Sequence, residues 1–368
     1  MYKEVILPSD HYAAGFTIGE QSREAMQYIL QSPVWSRLLK WKNTPLFHHM
    51  QDQAAAAFPE YMAEIQGMAA GAGQDVTDVF LWNCRGDFLP LADTGCTTLC
   101  CNTGSAIFVG HNEDGDPHFK NHCFISKTEG FPNQPDQSGQ SDQPGYLSFT
   151  YPASLNGHTF ALNTFGLVQA VDNIRSQKGG EGIPRMFLSR AVLDCKDIEG
   201  AVALVKRYTC TGAFHHLIAQ MTAQDTERNK ACRAVSIETG GSNPSIHYID
   251  GFYGHANHYI HPENHLLKQI ITDSAAARQH RVDALAANMP ASSKTGIDTL
   301  RAILKDRENE NLPIFRTDPD DPDDENNLAM ALFRLDETGV ECTIEAPDAG
   351  GSDYLCRFCP SNDLVNHS

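Results

Sequence analysis

The chain lacks the signatures from which catalytic chemistry is most often read. It has no Gly-rich phosphate loop ending in Lys, no dinucleotide fingerprint, no helical zinc-protease motif and no Gly-x-Ser-x-Gly elbow. No run approaches the roughly 18 consecutive apolar residues of a membrane span. The opening Met1-Tyr-Lys-Glu-Val-Ile-Leu-Pro8 lacks the apolar stretch of a secretion signal. These absences give the expectation of a cytoplasmic protein with no membrane contact. Positive charge is also scarce: 28 Lys and Arg face 46 Asp and Glu, a net −18. The deficit is spread along the chain, residues 1–95 carrying 6 basic and 11 acidic side chains. No basic half is hidden, which argues against a nucleic-acid partner.

What is present is globular. The chain has 368 residues, 41% hydrophobic and 20% charged, enough for one large α/β unit or two to three domains. Its 11 cysteines are odd in number and irregularly spaced. In a reducing compartment they read as buried thiols with perhaps one reactive member, not as a disulfide framework. Cys356-Arg-Phe-Cys359 has zinc-type spacing but is half a site. Asn112–Asp116 resembles part of a calcium loop, but position twelve falls on Cys123 instead of Glu. Neither supports a metal, and no cofactor is expected.

Residues 1–95 read as mainly helical, with apolar residues at helical spacing over Glu20–Leu30 and Glu60–Ala70; Gly71 and Gly73 should stop the latter. After Cys96 the pattern changes to strands. Thr97–Cys101 and Ala106–His111 flank the turn signal Asn102-Thr-Gly-Ser105. Further strands are expected at Tyr146–Tyr151, His158–Asn163, Leu167–Asp172, Phe214–Gln220, Ala234–Glu238 and Ser245–Ile249. Helices are expected at Pro184–Leu193, Asp197–Tyr208, Ser274–Ala287 and Gly296–Lys305. Pro132–Pro144 and the acidic run Asp318–Asn327 read as solvated loops. Antiparallel hairpins with helices grouped between them suggest an α+β architecture, two sheets sandwiched by helix layers.

One stretch carries chemistry: Asp93-Thr-Gly-Cys-Thr-Thr98, followed after the hairpin by His111-Asn-Glu-Asp-Gly-Asp116. Glycine adds no side chain beside the Gly95–Cys96 peptide bond, so attack by the Cys96 thiolate on its own preceding carbonyl is sterically open. A break there would give Cys96 a free α-amine with a pKa of about 7.7–8.0, a base within the same residue as the nucleophile. The hairpin returns Asn112 and Asp114 towards that amine. The residues alone leave open the alternative of a buried thiol at a strand start.

Several motifs together decide between the two. The opening Tyr12-Ala-Ala-Gly-Phe-Thr-Ile-Gly19 is followed by Tyr61-Met-Ala-Glu-Ile-Gln-Gly67 and Leu81-Trp-Asn-Cys-Arg85. Then come Gly95-Cys-Thr-Thr98 with Gly110-His-Asn-Glu-Asp114, Leu162-Asn-Thr-Phe-Gly-Leu167, Ile183-Pro-Arg-Met-Phe-Leu188 and His255-Ala-Asn-His258. In this order the sequence resembles the acyl-coenzyme A:6-aminopenicillanic acid (isopenicillin-N) acyltransferases, and within them the β-alanyl-amine (carcinine) hydrolase branch. The resemblance implies an N-terminal-nucleophile hydrolase fold, two antiparallel sheets between helix layers. It also implies a precursor that cuts itself between Gly95 and Cys96. Residues 1–95 then stay associated with the nucleophile-bearing piece 96–368 as one domain.

By the same resemblance Cys96 is the nucleophile, supported by Thr97, Thr98 and Asn112. Asp114 is catalytic, Asn257 offers its amide NH₂ to the oxyanion, and Arg316 sits where the family has an active-site arginine. His255 and His258 are supports. The implied reaction is hydrolysis of a small linear amide through a thioester, or acyl transfer to an amine, without metal or cofactor. An acidic protein would suit a cationic amine conjugate as substrate. The rival from another class is a non-catalytic Cys/His metal-binding or scaffold protein, and a homo-oligomer is left open.

Overall fold

The computed structural model describes residues 2–90, 95–131, 144–177, 181–221, 232–240, 243–287, 296–318, 320–321, 323–347 and 354–358. Strand β1 (Glu4–Leu7) leads into α1 (His11–Gln21), α2 (Arg23–Ile29), α3 (Pro33–Leu38), α4 (Pro45–Ala57), α5 (Pro59–Ala72), α6 (Val76–Asn83) and α7 (Arg85–Phe88). Side chains of Asp10, Ser32, Thr44 and Asp75 cap four of these helices, satisfying N–H groups that have no partner inside the helix. The single helix expected over Glu20–Leu30 is two. Ser22 breaks it, donating its hydroxyl to Ile18 O (2.7 Å) and accepting from Ala153 N–H (2.7 Å), local bonding that competes with the helix ladder. Gly71 does not stop α5; Gly73 does, in a left-handed cap with φ 68°.

Gly71 belongs instead to a seam between α1 and α5. A Cβ on Gly15, Gly19, Gly67 or Gly71 would lie 2.0–2.2 Å from a backbone oxygen of the facing helix. Only glycine permits this approach. Gly67→Ala is therefore expected to push α1 and α5 apart and to cost about 1–3 kcal/mol, the usual range for overpacking. Urea denaturation measures it, and an unchanged midpoint would contradict the seam.

The rest of the chain runs β2 (Cys96–Asn102), β3 (Ile107–Gly115), β4 (Phe124–Thr128), β5 (Tyr146–Thr150), β6 (Phe160–Asn163), β7 (Val168–Ile174), α8 (Arg185–Leu193), α9 (Ile198–Arg207) and β8 (Ala213–Met221). It continues with β9 (Cys232–Glu238), β10 (Ser245–Tyr248), β11 (Gly251–His255), α10 (Asp273–Ala287), α11 (Ile297–Leu304), β12 (Asn326–Asp336), β13 (Gly339–Glu345) and β14 (Tyr354–Phe358). Two sheets form, ordered β1-β4-β5-β6-β7-β8-β9-β10 and β11-β2-β3-β12-β13-β14. All pairings are antiparallel except β1 with β4. The largest core lies between the sheets, with Leu147, Phe149, Phe160, Leu217, Ile107, Val109 and Phe333 among its members. Helices α8 and α9 cover the outer face of the first sheet through Leu188, Val192, Ile198 and Val205. Helices α10 and α11 cover the second through Val282, Leu300, Ile303 and Leu304. The architecture is the expected α+β sandwich.

Residues 132–143 of the first expected loop, and Cys359 of the zinc-type pair, lie outside the described residues. The acidic run Asp318–Asn327 is only partly a solvated loop. Asp321 and Glu325 are buried, and Asn326 starts β12. Repulsion within the run is relieved by Arg316, which pairs with Asp321, Asp323 and Glu325.

Candidate active site

The β2–β3 hairpin builds the centre of the site. Gly104 turns the chain at φ 84°, and Thr103 N–H bonds Ala106 O at 2.9 Å. The resulting register sets Cys96 opposite Glu113, Thr97 opposite Asn112 and Thr98 opposite His111. Because side chains alternate along a strand, Cys96, Thr98, His111 and Glu113 share the face turned to the other sheet. Asn112 and Thr97 share the opposite one.

The sulfur of Cys96 is buried and faces Glu113 Oε2 at 3.8 Å. Burial, with the carboxylates of Glu113, Asp172 and Asp114 around it, pushes the thiol well above its ordinary pKa. Glu113 Oε1 accepts from the Tyr151 hydroxyl (2.9 Å), and Oε2 lies 3.0 Å from His111 Nε2. Thr98 donates its hydroxyl to Asp172 Oδ1 (2.8 Å), so His111 Nδ1, also at 2.8 Å, is the donor to Thr98.

The peptide bond before Cys96 is gripped at both ends. Asp114 N–H donates to Gly95 O at 2.9 Å. Cys96 N–H donates to Asn257 Oδ1 at 2.7 Å. Asn257 follows β11 in the left-handed region (φ 61°), which asparagine tolerates better than most residues. In the uncut chain two further partners fix its side chain. Arg278 Nη2 donates to the same Oδ1 at 2.8 Å, while Asn257 Nδ2 donates to Asn173 O at 3.0 Å. Guanidinium can only donate and a carbonyl can only accept, so the amide oxygen, not the NH₂, is turned to Cys96. In the uncut chain Asn257 thus holds the Cys96 nitrogen, and the donor at the Gly95 carbonyl is the Asp114 backbone.

Other expected residues divide. Asp114 is buried beside Gly95; Asn327 Nδ2 reaches its Oδ1 at 3.2 Å, and its Oδ2 has no hydrogen-bond partner. Burial raises its pKa, and Arg316 and Arg278 only partly offset this. Arg316 joins the same cluster, buried among acids and not in a surface pair. Thr97 accepts from Arg278 Nη1 at 3.0 Å. Asn112 does not face Cys96: its Nδ2 donates to Leu304 O (2.8 Å) and Ile314 O (3.3 Å), tying the end of α11 and the segment that follows it to β3. His258 bonds Ala256 O through Nδ1 at 2.9 Å.

Behind Thr98 lies a buried ionic layer that sequence reading did not find. Asp172 is paired with His215 Nδ1 (2.5 Å) and His255 Nδ1 (3.2 Å), and His255 Nε2 lies 3.4 Å from Glu238. The His215 and His255 rings stack at 3.8 Å. Burial disfavours charge throughout, but two flanking carboxylates outweigh it for His255, whose pKa rises to about 9. Burial and the neighbouring His255 lower His215 to about 4.

Among the described residues, three groups bring donor atoms of metal-binding type together: Cys96, His111 and Glu113; Asp172, His215 and His255; and His247, His261 and Glu263. In the second group, a hydrogen bond joins His215 to Asp172 and an ion-pair contact joins His255 to the same carboxylate.

Compared with known proteins, residues 101–349 match the model of the family described as acyl-coenzyme A:6-aminopenicillanic acid acyl-transferase. The chain is also 25% identical over 213 residues to the beta-alanyl-dopamine/carcinine hydrolase of Drosophila melanogaster. That alignment covers 53% of this chain and 55% of the relative, so the chain spans about half the length of the protein it matches.

Proposed function

Because the chain belongs to the acyl-coenzyme A:6-aminopenicillanic acid acyl-transferase family, we propose that it is a self-processing cysteine amidohydrolase of the N-terminal-nucleophile type. Its substrates would be small N-acyl amines, β-alanyl amines among them, as in the name of its fly relative. Family membership makes it an enzyme, a hydrolase or acyltransferase, and displaces the non-catalytic reading.

The observation that carries the proposal is the grip on the Gly95–Cys96 peptide. In the first reaction the Cys96 sulfur attacks the Gly95 carbonyl carbon and passes its proton to Glu113. The developing oxyanion already has the Asp114 N–H at 2.9 Å; such a donor is typically worth about 2.7–4 kcal/mol in the transition state. The C–N bond breaks, the nitrogen takes a proton, and water resolves the thioester. Cys96 N is then a free α-amine held by Asn257 Oδ1 next to Arg278. The neighbouring guanidinium disfavours its protonation, which suits a base. In the second reaction this amine takes the thiol proton as sulfur attacks the substrate amide, and returns it to the leaving amine. Water completes hydrolysis; an amine acceptor would complete acyl transfer from the same thioester.

Intact-mass spectrometry tests the proposal. The purified protein should give two fragments ending at Gly95 and beginning at Cys96, and Cys96→Ala should remain one chain. Fragments unchanged in Cys96→Ala would sink the self-processing reading.

A further inference from the structure

Of the three groups of metal-type donors, two cannot share one ion between their imidazoles. His215 and His255 stack at 3.8 Å with planes 12° apart, and His247 and His261 at 4.1 Å with planes 9° apart. A nitrogen lone pair lies in the plane of its ring, so an ion cannot meet both rings of a parallel pair head-on. The group of Cys96, His111 and Glu113 has one imidazole and no such conflict.

Its edges fit zinc. Sγ lies 3.8 Å from Glu113 Oε2, Oε2 lies 3.0 Å from His111 Nε2, and the donor atoms are all within 4.8 Å of one another. A triangle of these edges has a point within about 2.4 Å of every corner, against about 2.3 Å for a zinc–sulfur bond and about 2.0–2.2 Å for bonds to nitrogen and oxygen. The ligands are also held from behind, which fixes their orientation. His111 Nδ1 donates to Thr98 Oγ1 at 2.8 Å, and Thr98 donates to Asp172 Oδ1 at 2.8 Å. The Tyr151 hydroxyl donates to Glu113 Oε1 at 2.9 Å, leaving Oε2 for the ion. Burial, with the carboxylates of Glu113 and Asp172, keeps the thiol protonated. The same carboxylates favour a dication, which displaces the thiol proton to solvent on binding. Thiolate and Glu113 then neutralise the ion, so no net charge is buried.

We infer that Cys96 Sγ, His111 Nε2 and Glu113 Oε2 form a zinc site whose occupant blocks the enzyme reversibly. The site rests on geometry alone; its effect on turnover rests on the reading above. In the mature enzyme the Cys96 α-amine adds a fourth donor, closing a five-membered chelate with its own sulfur. The ion is an inhibitor and not a cofactor, since it occupies both the sulfur that attacks and the amine that takes the proton.

Cobalt reads the site without any turnover, because a thiolate ligand gives it a charge-transfer band in the near ultraviolet. Metal-free protein titrated with Co²⁺ should develop that band, and added Zn²⁺ should remove it. The difference from Cys96→Ala isolates the site from the other cysteines. Glu113→Gln and His111→Gln should each weaken cobalt binding by about tenfold or more; two variants are used so that one that fails to fold leaves the other. No difference band overturns the inference. So does an affinity unchanged in the folded variants, which would mean a metal held by the thiol alone. Saturating Zn²⁺ should lower kcat/KM on β-alanyl 4-nitroanilide by about tenfold or more, and a chelator should restore it. Hydrolysis untouched by Zn²⁺ overturns the inference and leaves the amidohydrolase standing. A difference band in a chain that is neither cut nor active when metal-free overturns the amidohydrolase and leaves the site.

Discussion

Glu113→Gln is expected to leave the protein as a folded, full-length chain, with self-cleavage slowed by a factor of about 10²–10⁴, the usual contribution of a positioned base. The reason lies in the difference between the two reactions. The mature enzyme has the Cys96 α-amine as base, but before the cut that nitrogen is an amide with no proton-accepting capacity. The thiol is held in its protonated form by burial and by surrounding carboxylates. Something else must take its proton. Glu113 Oε2, at 3.8 Å from the sulfur, is the carboxylate hydrogen-bonded to it, and His111 Nε2 at 3.0 Å can share the proton onward. Glutamine keeps the shape and an oxygen for Tyr151 but is not a base. A time course of intact mass on freshly purified precursor reads the rate. Cleavage at the wild-type rate would remove Glu113 from maturation. Any Glu113→Gln fraction that does mature should turn over substrate within about tenfold of wild type, because the amine then does the work; an equal loss in both steps would place Glu113 in turnover as well.

This residue shows where the sequence was legible and where it was not. The turn Asn102–Ser105 was clear, and a hairpin with period-2 alternation places position 113 opposite position 96. Glu113 was therefore within reach of sequence reasoning, and was overlooked in favour of Asp114 and Asn112, which lie on the other face. Arg278 was not within reach. It lies 182 residues from Cys96 on α10, in no motif, and only packing of α10 over β11 brings it to the Cys96 carbonyl. The ionic layer was hidden for a related reason. Asp172, His215 and Glu238 lie on β7, β8 and β9 of one sheet, and His255 on β11 of the other. A strand pattern says which residues share a face, but not which face of which sheet it meets. Strand β12 is nearly continuously buried, so it shows no apolar–polar alternation.

Between pH 6 and 8 the protein is expected to lose about 2 kcal/mol of stability through His255 alone. Its pKa is about 9 in the folded chain against about 6.5 for an unperturbed histidine. A group whose folded pKa is raised contributes stability that is full below the unfolded value and lost as pH rises through the folded one. The contribution is therefore greatest below about pH 6.5, where the full shift amounts to about 3 kcal/mol, and it falls steadily towards pH 9. The groups that face His255 are Asp172 on β7, Glu238 on β9 and the stacked ring of His215 on β8. The two carboxylates work in the opposite pH range. Both are held below the usual carboxylate values against their burial, Glu238 at about 2, so their contribution is lost only in acid. His215 and His261, lowered to about 4, and His216, lowered to about 3, work the opposite way: below about pH 6.5 the unfolded chain takes up protons that the folded chain does not, so the stability they cost at pH 6 is recovered by pH 8. The buried thiols begin to matter only as the unfolded state's cysteines ionise, near pH 8.5. Because His215, His216 and His261 act in the same window with the opposite sign, the difference between slopes with and without His255, and not the window itself, isolates its contribution. Urea denaturation of Cys96→Ala, a single chain by the reading above, gives the slope free of cleavage; adding His255→Gln should make the change in stability from pH 6 to 8 more positive by about 2 kcal/mol. The same slope with and without His255 would show that its charge is not linked to folding.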